Sequence, residues 1–177
     1  MRGMTKYERD LRSRLRDSEK WPAFEQPGFL ERLDGIAGRA IQKHSVEAKL
    51  AAILIYHQLV EEMFRLLIQD SQLLVQAALR PRRIDFPAHR RQMFGQLQQD
   101  LRDSVHFAEK NRLLALSEEI NAIRIDVVHK LTNRGSLAGL ARDARKAKRL
   151  YERIFLIFEE VHDGFRVYLH GFSKDLL

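Results

Sequence analysis

The sequence predicts an all-α protein, an antiparallel helical bundle of about five to six helices. Apolar residues recur at spacings of three and four, the repeat of one helix face. No stretch alternates apolar and polar residues as a half-buried strand would. The four prolines stand in two connections, around residues 21–28 and 80–87, and proline cannot continue a helix through its own position. The sequence therefore contains helices joined by a few short connections.

The 177 residues suit a single domain, with 45% hydrophobic and 31% charged residues. Within it we expect an N-terminal helical arm and second helix over 1–44 and the bundle core over 45–177.

The absence of cysteine excludes disulfides and thiolate metal sites. The charged N-terminus lacks the apolar centre of a secretory signal. The most apolar stretch is interrupted by His57, Glu61 and Glu62, so we expect a cytoplasmic protein with no membrane contact.

The first three helices are expected over residues 4–18, 28–43 and 45–79. Ser45 can cap the third, which is apolar all round near its start and should therefore lie centrally. We expect it to break or bend near Asp70 and Ser71. The inward face of the second helix is predicted to carry Phe29, Leu33, Ile36 and Ala40.

Three further helices are expected: a short one after residue 87, one over 111–131, and a long last one. The sequence at 133–136 should end one helix and begin the next, because it combines glycine with serine. The last helix has a packing seam of nine residues at strict spacing. These are Leu140, Ala144, Ala147, Tyr151, Ile154, Phe158, Val161, Phe165 and Tyr168.

Positive charge is concentrated in two places, within a net charge of +7. Such clusters suit a polyanion such as RNA, although a solvated helix face is the more common meaning. The cluster at the start of the last helix supplies the candidate nucleic-acid-binding residues Arg134, Arg142, Arg145, Lys146 and Arg149. The second cluster consists of Arg80, Arg82, Arg83, Arg90 and Arg91.

The helix over 111–131 carries the main candidate site. Arg124 lies on the flank of its apolar stripe, and His129 lies nearly opposite that stripe, at ~100° per residue. Because Ile125 and Val128 share the side of His129, the helix offers apolar surface to two partners. The stripe itself consists of Leu116, Ile120, Ile123, Val127 and Leu131.

The segment from Asn121 to His129, Asn-Ala-Ile-Arg-Ile-Asp-Val-Val-His, resembles the signature of HEPN domains (higher eukaryotes and prokaryotes nucleotide-binding). These all-α bundles carry an arginine followed a few residues later by a histidine, ahead of a late helix. The resemblance covers roughly residues 45–169. It implies a homodimer, and an RNA-binding protein that can be a metal-independent endoribonuclease of toxin or antiviral-defence type, without a cofactor.

The resemblance also implies a role for each residue of the motif. Arg124 would hold the scissile phosphate, and His129 would act as general acid or base. Asp126 would orient one of them, and Asn121 is a further polar candidate. Ile125 departs from the family pattern, because active members usually carry a polar residue there. Leu131 replaces a tyrosine that one group of toxin nucleases carries.

The sequence is also compatible with other functions. The chief alternative is a non-catalytic helical regulator or antitoxin-like module that binds a protein partner through helix–helix contacts. A helix-turn-helix DNA reader is the third choice, since the last helix is too long for a recognition helix. His57 with Glu61, and Glu159 with His162, have the spacing of metal ligands on a helix, but a di-metal bundle site needs more carboxylates. No metal site is therefore predicted.

Overall fold

A computed structural model describes residues 4–86, 93–131 and 137–174. These residues form six α-helices and one short 3₁₀ turn at Ser18–Lys20, and no strand occurs among them. The all-α helical bundle predicted from the sequence is confirmed. The helices are α1 (Lys6–Arg16), α2 (Pro27–Gln42), α3 (Val46–Ala78), α4 (Phe94–Asp103), α5 (Lys110–Lys130) and α6 (Leu137–Lys174).

Helix α3 is the centre of the bundle and packs against α2, α4, α5 and α6. It begins where the sequence predicts, with the Ser45 hydroxyl accepting a hydrogen bond from the Ala48 amide at 3.2 Å. Buried residues occur along its whole length, and several of them are charged or polar. In the part of the chain that the structure describes, no helix is long and apolar enough to cross a lipid bilayer.

The long seam of α6 packs along α3. Eight of its nine predicted positions are buried, from Leu140 to Phe165. The ninth, Tyr168, is 67% exposed, and Leu169 is buried in its place. The strict spacing drifts around a straight helix over this distance, so the last contact moves by one residue.

The predicted break of α3 near Asp70 and Ser71 is wrong, because the helix continues without interruption to Ala78. Each of the two polar side chains has a hydrogen bond to a neighbouring element, although Asp70 Oδ1 is buried without a partner among the described residues. The Nδ1 atom of His162 donates to Asp70 Oδ2 at 2.7 Å, and the Ser71 hydroxyl accepts from the amide of Val105 at 3.1 Å. Neither side chain therefore competes for the backbone hydrogen bonds of its own helix.

The carboxylate of Asp70 is fully buried, and burial raises its pKa. His162, Arg166 and Arg14 act in the opposite direction, bringing positive charge from α6 and α1. Arg166 also donates to the carbonyl of Pro22, and its guanidinium lies 5.4 Å from the ring centre of Trp21. One buried carboxylate thus links the N-terminal helix, the following loop, and the two longest helices.

The predicted inward face of α2 is partly wrong. Phe29 is 48% exposed and Ile36 is 43% exposed. The helix instead buries its small residues where it packs against α3, and a Cβ atom added at Gly38 would lie 3.9 Å from the Tyr56 hydroxyl, an ordinary van der Waals contact. The buried residues of α2 are Ala37, Ala40 and Ile41.

Two buried lysines bind the carbonyls at helix C-termini. The Lys49 ammonium donates to the carbonyl of Ile41 near the end of α2. The Lys110 ammonium donates to three carbonyls around the end of α4. These belong to Arg102, Ser104 and Val105, at 2.8, 2.9 and 3.3 Å. A cation at this position is favoured because the last carbonyls of a helix have no partner within the helix.

We expect Lys110→Met to lower the free energy of unfolding by about 2 kcal/mol, because methionine fills the same space but leaves three partly buried carbonyls without this donor. Chemical denaturation of both proteins measures this difference. Lys43→Met, at an exposed lysine, is the control and should change stability by less than about 0.5 kcal/mol. Equal stability of the two variants would show that the Lys110 contacts contribute nothing.

Candidate functional site

Helix α5 carries the Arg124–His129 motif, and its burial follows the predicted stripe. Leu116, Ile120 and Val127 are buried, whereas Ile123 is partly buried. Arg124 is half-buried and His129 is exposed. Five residues along a helix correspond to a rotation of about 140°, so the two side chains leave α5 on different sides. One chain therefore does not bring Arg124 and His129 into a compact site.

Arg124 lies instead near His57 of α3, on the inner side of α5. The positive charge of Arg124 contributes to lowering the pKa of His57, after the larger effect of burial. His57 is 4% exposed, and its ring centre lies 4.6 Å from that of Phe94. Its Nε2 atom lies 3.1 Å from Asn121 Oδ1, and its Nδ1 atom lies 3.5 Å from Glu61 Oε1.

The hydrogen bond of His57 joins two helices. An amide oxygen can only accept, so the Nε2–H of His57 donates to Asn121 Oδ1. Nδ1 faces the Glu61 carboxylate at 3.5 Å, and the negative charge of Glu61 acts to raise the pKa of His57, against the larger effect of burial. Asn121 and His57 join α5 to α3, and Glu61 is held in turn by Arg65 at 3.6 Å.

The resemblance to HEPN domains implies that Asp126 orients Arg124 or His129. Its carboxylate forms an ion pair with Lys130 at 3.1 Å, one turn along the same helix. Both side chains are substantially exposed, so the pair adds little stability. Asp126 therefore lies on the outer part of α5, away from the buried polar cluster around His57.

The basic residues of α6 form a row on its outer face, opposite the packing seam. Arg142, Arg145, Lys146 and Arg149 are all exposed, and Arg153 extends the row. Arg134 lies outside the described residues. At 1.5 Å per residue the row is about 16 Å long. Lys146 pairs with Glu119 of α5 at 3.0 Å. Within residues 4–86, 93–131 and 137–174, the four arginines of this row have no carboxylate at ion-pair distance.

The second basic cluster is partly engaged in contacts of its own. Arg83 pairs with Asp85 at 2.7 Å, and the Arg80 guanidinium lies 6.0 Å from the ring centre of Phe172. Arg90 and Arg91 lie outside the described residues. The row on α6 is therefore the better-defined basic surface.

The structure pairs residues that the sequence could not pair. His57 meets Asn121 across 64 positions, and His162 meets Asp70 across 92. The sequence offered one signal of the cluster around His57, which is Glu61, four residues away on the same helix. Among the described residues no three histidine or acidic side chains come together as a metal site would require. Comparison with protein families, curated proteins and solved structures finds no match to this chain.

The depressed pKa of His57 makes stability depend on pH. Burial lowers the pKa of His57 from about 6.5, so the unfolded chain takes up a proton there before the folded protein does. Stability contributed by neutral His57 is present above about pH 6.5 and falls as the pH drops towards the folded pKa.

We therefore expect His57→Gln to show a smaller loss of unfolding free energy on acidification below pH 6.5 than the unmodified protein. Denaturation curves at a series of pH values measure the slope. His106→Gln, at an exposed histidine, should retain the original slope. A slope that His57→Gln leaves unchanged would mean that His57 is not held neutral by the fold.

Proposed function

We propose that this protein is a HEPN-like RNA-binding protein that binds the phosphate backbone through the basic face of α6. The observation that carries the proposal is the exposed row Arg142, Arg145, Lys146, Arg149 and Arg153. Guanidinium groups bind phosphate oxygens with two parallel hydrogen bonds, and the counterions released from RNA favour binding. Arginines without carboxylate partners in the described structure need not break an internal ion pair to bind RNA.

The proposal includes metal-independent cleavage by Arg124 and His129, as an endoribonuclease of toxin or antiviral type in the cytoplasm. Arg124 would stabilise the charge that develops on the phosphate, and the exposed His129 would exchange a proton with the ribose or the leaving oxygen. Because the two side chains diverge, a complete site would take Arg124 from one copy and His129 from another. No cofactor enters this chemistry.

A second candidate function is a protein-interaction module without catalysis. Ile125 is 43% exposed and Val128 is 50% exposed on α5, next to His129. Exposed apolar residues on a helix suit a partner helix better than they suit RNA. An assembly that depends on Ile125 and Val128, in a protein inert towards RNA, would favour this function.

For RNA binding, we expect the double variant Arg145→Glu/Arg149→Glu to weaken affinity about tenfold or more and to reduce the salt dependence of binding. Each lost phosphate contact should lower the slope of log affinity against log salt by about 0.7 to 0.9. Fluorescence anisotropy with a labelled RNA over a salt series measures both. The control Arg32→Glu/Arg39→Glu makes the same charge change on exposed residues of α2. Equal losses in both variants would contradict a specific surface.

For cleavage, we expect RNA hydrolysis in excess chelator that His129→Ala and Arg124→Ala each reduce at least about a hundredfold, the range for a lost acid–base group and for a lost charge-stabilising donor, respectively. Gel analysis of end-labelled RNA measures the rate. His106→Ala removes an exposed histidine away from the motif and should cleave normally. Cleavage that survives in His129→Ala would exclude the proposed chemistry, and failure to bind RNA at low salt would exclude the function.

A further inference from the structure

The charge on the outer face of α6 changes from positive to negative halfway along the helix. Its first half is the basic row from Arg142 to Arg153. Its second half, which we call the acidic segment, carries Glu160 and Asp163 between two very exposed apolar residues. These are Leu156, 67% exposed, and Val167, 70% exposed. A single exposed surface thus carries opposite charges at its two ends.

Among the described residues the acidic segment has no ion-pair partner, and neither have the four arginines of the basic row, whereas Lys146 pairs with Glu119 of α5. Glu160 and Asp163 are exposed, and no described lysine or arginine lies at ion-pair distance from either. The nearby Glu152 differs, since it pairs with Lys148 at 2.9 Å. The arginines at one end and the two carboxylates at the other can therefore attract an opposite charge without breaking an ion pair of the described structure, and Lys146 would exchange or share its contact with Glu119.

We propose that this face of α6 docks antiparallel against the same face of a second copy of the chain. In an antiparallel pair, residues match when they are equally far from the midpoint, here between Ile154 and Phe155. Arg149 of one copy then lies opposite Glu160 of the other, and Lys146 lies opposite Asp163. In the same register Leu156 lies beside the aliphatic stem of Arg153, near the centre.

The occupant is a second copy because one register satisfies all of these pairs at once. A two-fold axis repeats every contact, so each copy contributes the cations of one half of the interface and the carboxylates of the other half. If the two helices ran parallel, like charges would face one another, because the basic row of one copy would meet the basic row of the other. Charge complementarity therefore selects both the partner and its direction.

The size of the face predicts a weak dimer. From Arg142 to Val167 the helix is about 37 Å long, and a strip about 11 Å wide buries roughly 400 Å² per copy. Stable interfaces bury about 800 Å² per partner, so this contact should be concentration-dependent. It should also weaken with salt, because its charged pairs lie near water.

The dimer would cover the basic row. If the proposed function is correct, RNA and the second copy compete for the same arginines, and self-association limits RNA binding. This consequence rests on the proposed function, whereas the dimer itself does not. The contact uses α6 alone and does not include His129.

Sedimentation equilibrium of the full chain tests the register through a charge exchange. We expect Arg149→Glu and Glu160→Arg each to raise the dimer dissociation constant about tenfold or more, because each places like charges together twice per dimer. The double variant restores opposite charges and should return to within about threefold of the original value. Arg39→Glu, on α2, is the control and should associate normally.

A double variant that dimerises as weakly as the single variants would overturn the proposed register. A protein that stays monomeric at high concentration would overturn the proposed dimer. Circular dichroism checks that the exposed substitutions leave the fold intact.

Binding of labelled RNA then separates the proposed dimer from the proposed function. RNA that binds while the dimer persists would overturn the shared surface. RNA that fails to bind any variant would contradict the proposed function, and the charge exchange would still decide the dimer.

Discussion

The rest of this structure depends on the burial of α3, which leaves only one narrow face exposed, at Leu54, Gln58 and Gln69. The wide apolar part of this helix has to be covered, since each exposed apolar side chain would lose ~1.5–3 kcal/mol of burial. Helices α2, α4, α5 and α6 supply that covering. Because they cover one helix, each buries mainly one face of its own. Their outer faces are then available for charge and for binding.

The covering elements are fixed in place by a small number of buried polar contacts. Asp70 draws His162 and two arginines towards the centre of α3, and so brings α1 and α6 together. His57 performs a similar role for α5 through Asn121. A buried polar group without partners is costly, so contacts of this kind select one arrangement among several that apolar packing would allow. The bundle thus owes its stability mainly to packing and its particular arrangement to these polar pairs.

The same arrangement separates the residues of the proposed site. The contact between α5 and α3 turns Arg124 inward and leaves His129 outward. Any chemistry that uses both therefore depends on assembly rather than on one chain. On α6, the packing seam leaves the opposite face with a basic half and an acidic half. Binding of a polyanion and self-association would draw on that one face, which is how charge on a single helix can couple assembly to binding.

The sequence by itself determined the helical class, the start of α3 at Ser45 and most of the α6 seam, because these depend on local capping and on periodicity along one helix. It also placed Arg124 and His129 on different sides of α5. Only the tertiary structure decided that α3 continues through Asp70, that α2 buries alanines rather than Phe29, and that His57 meets Asn121. Each of these depends on a partner distant in the chain, and periodicity within one helix does not name that partner.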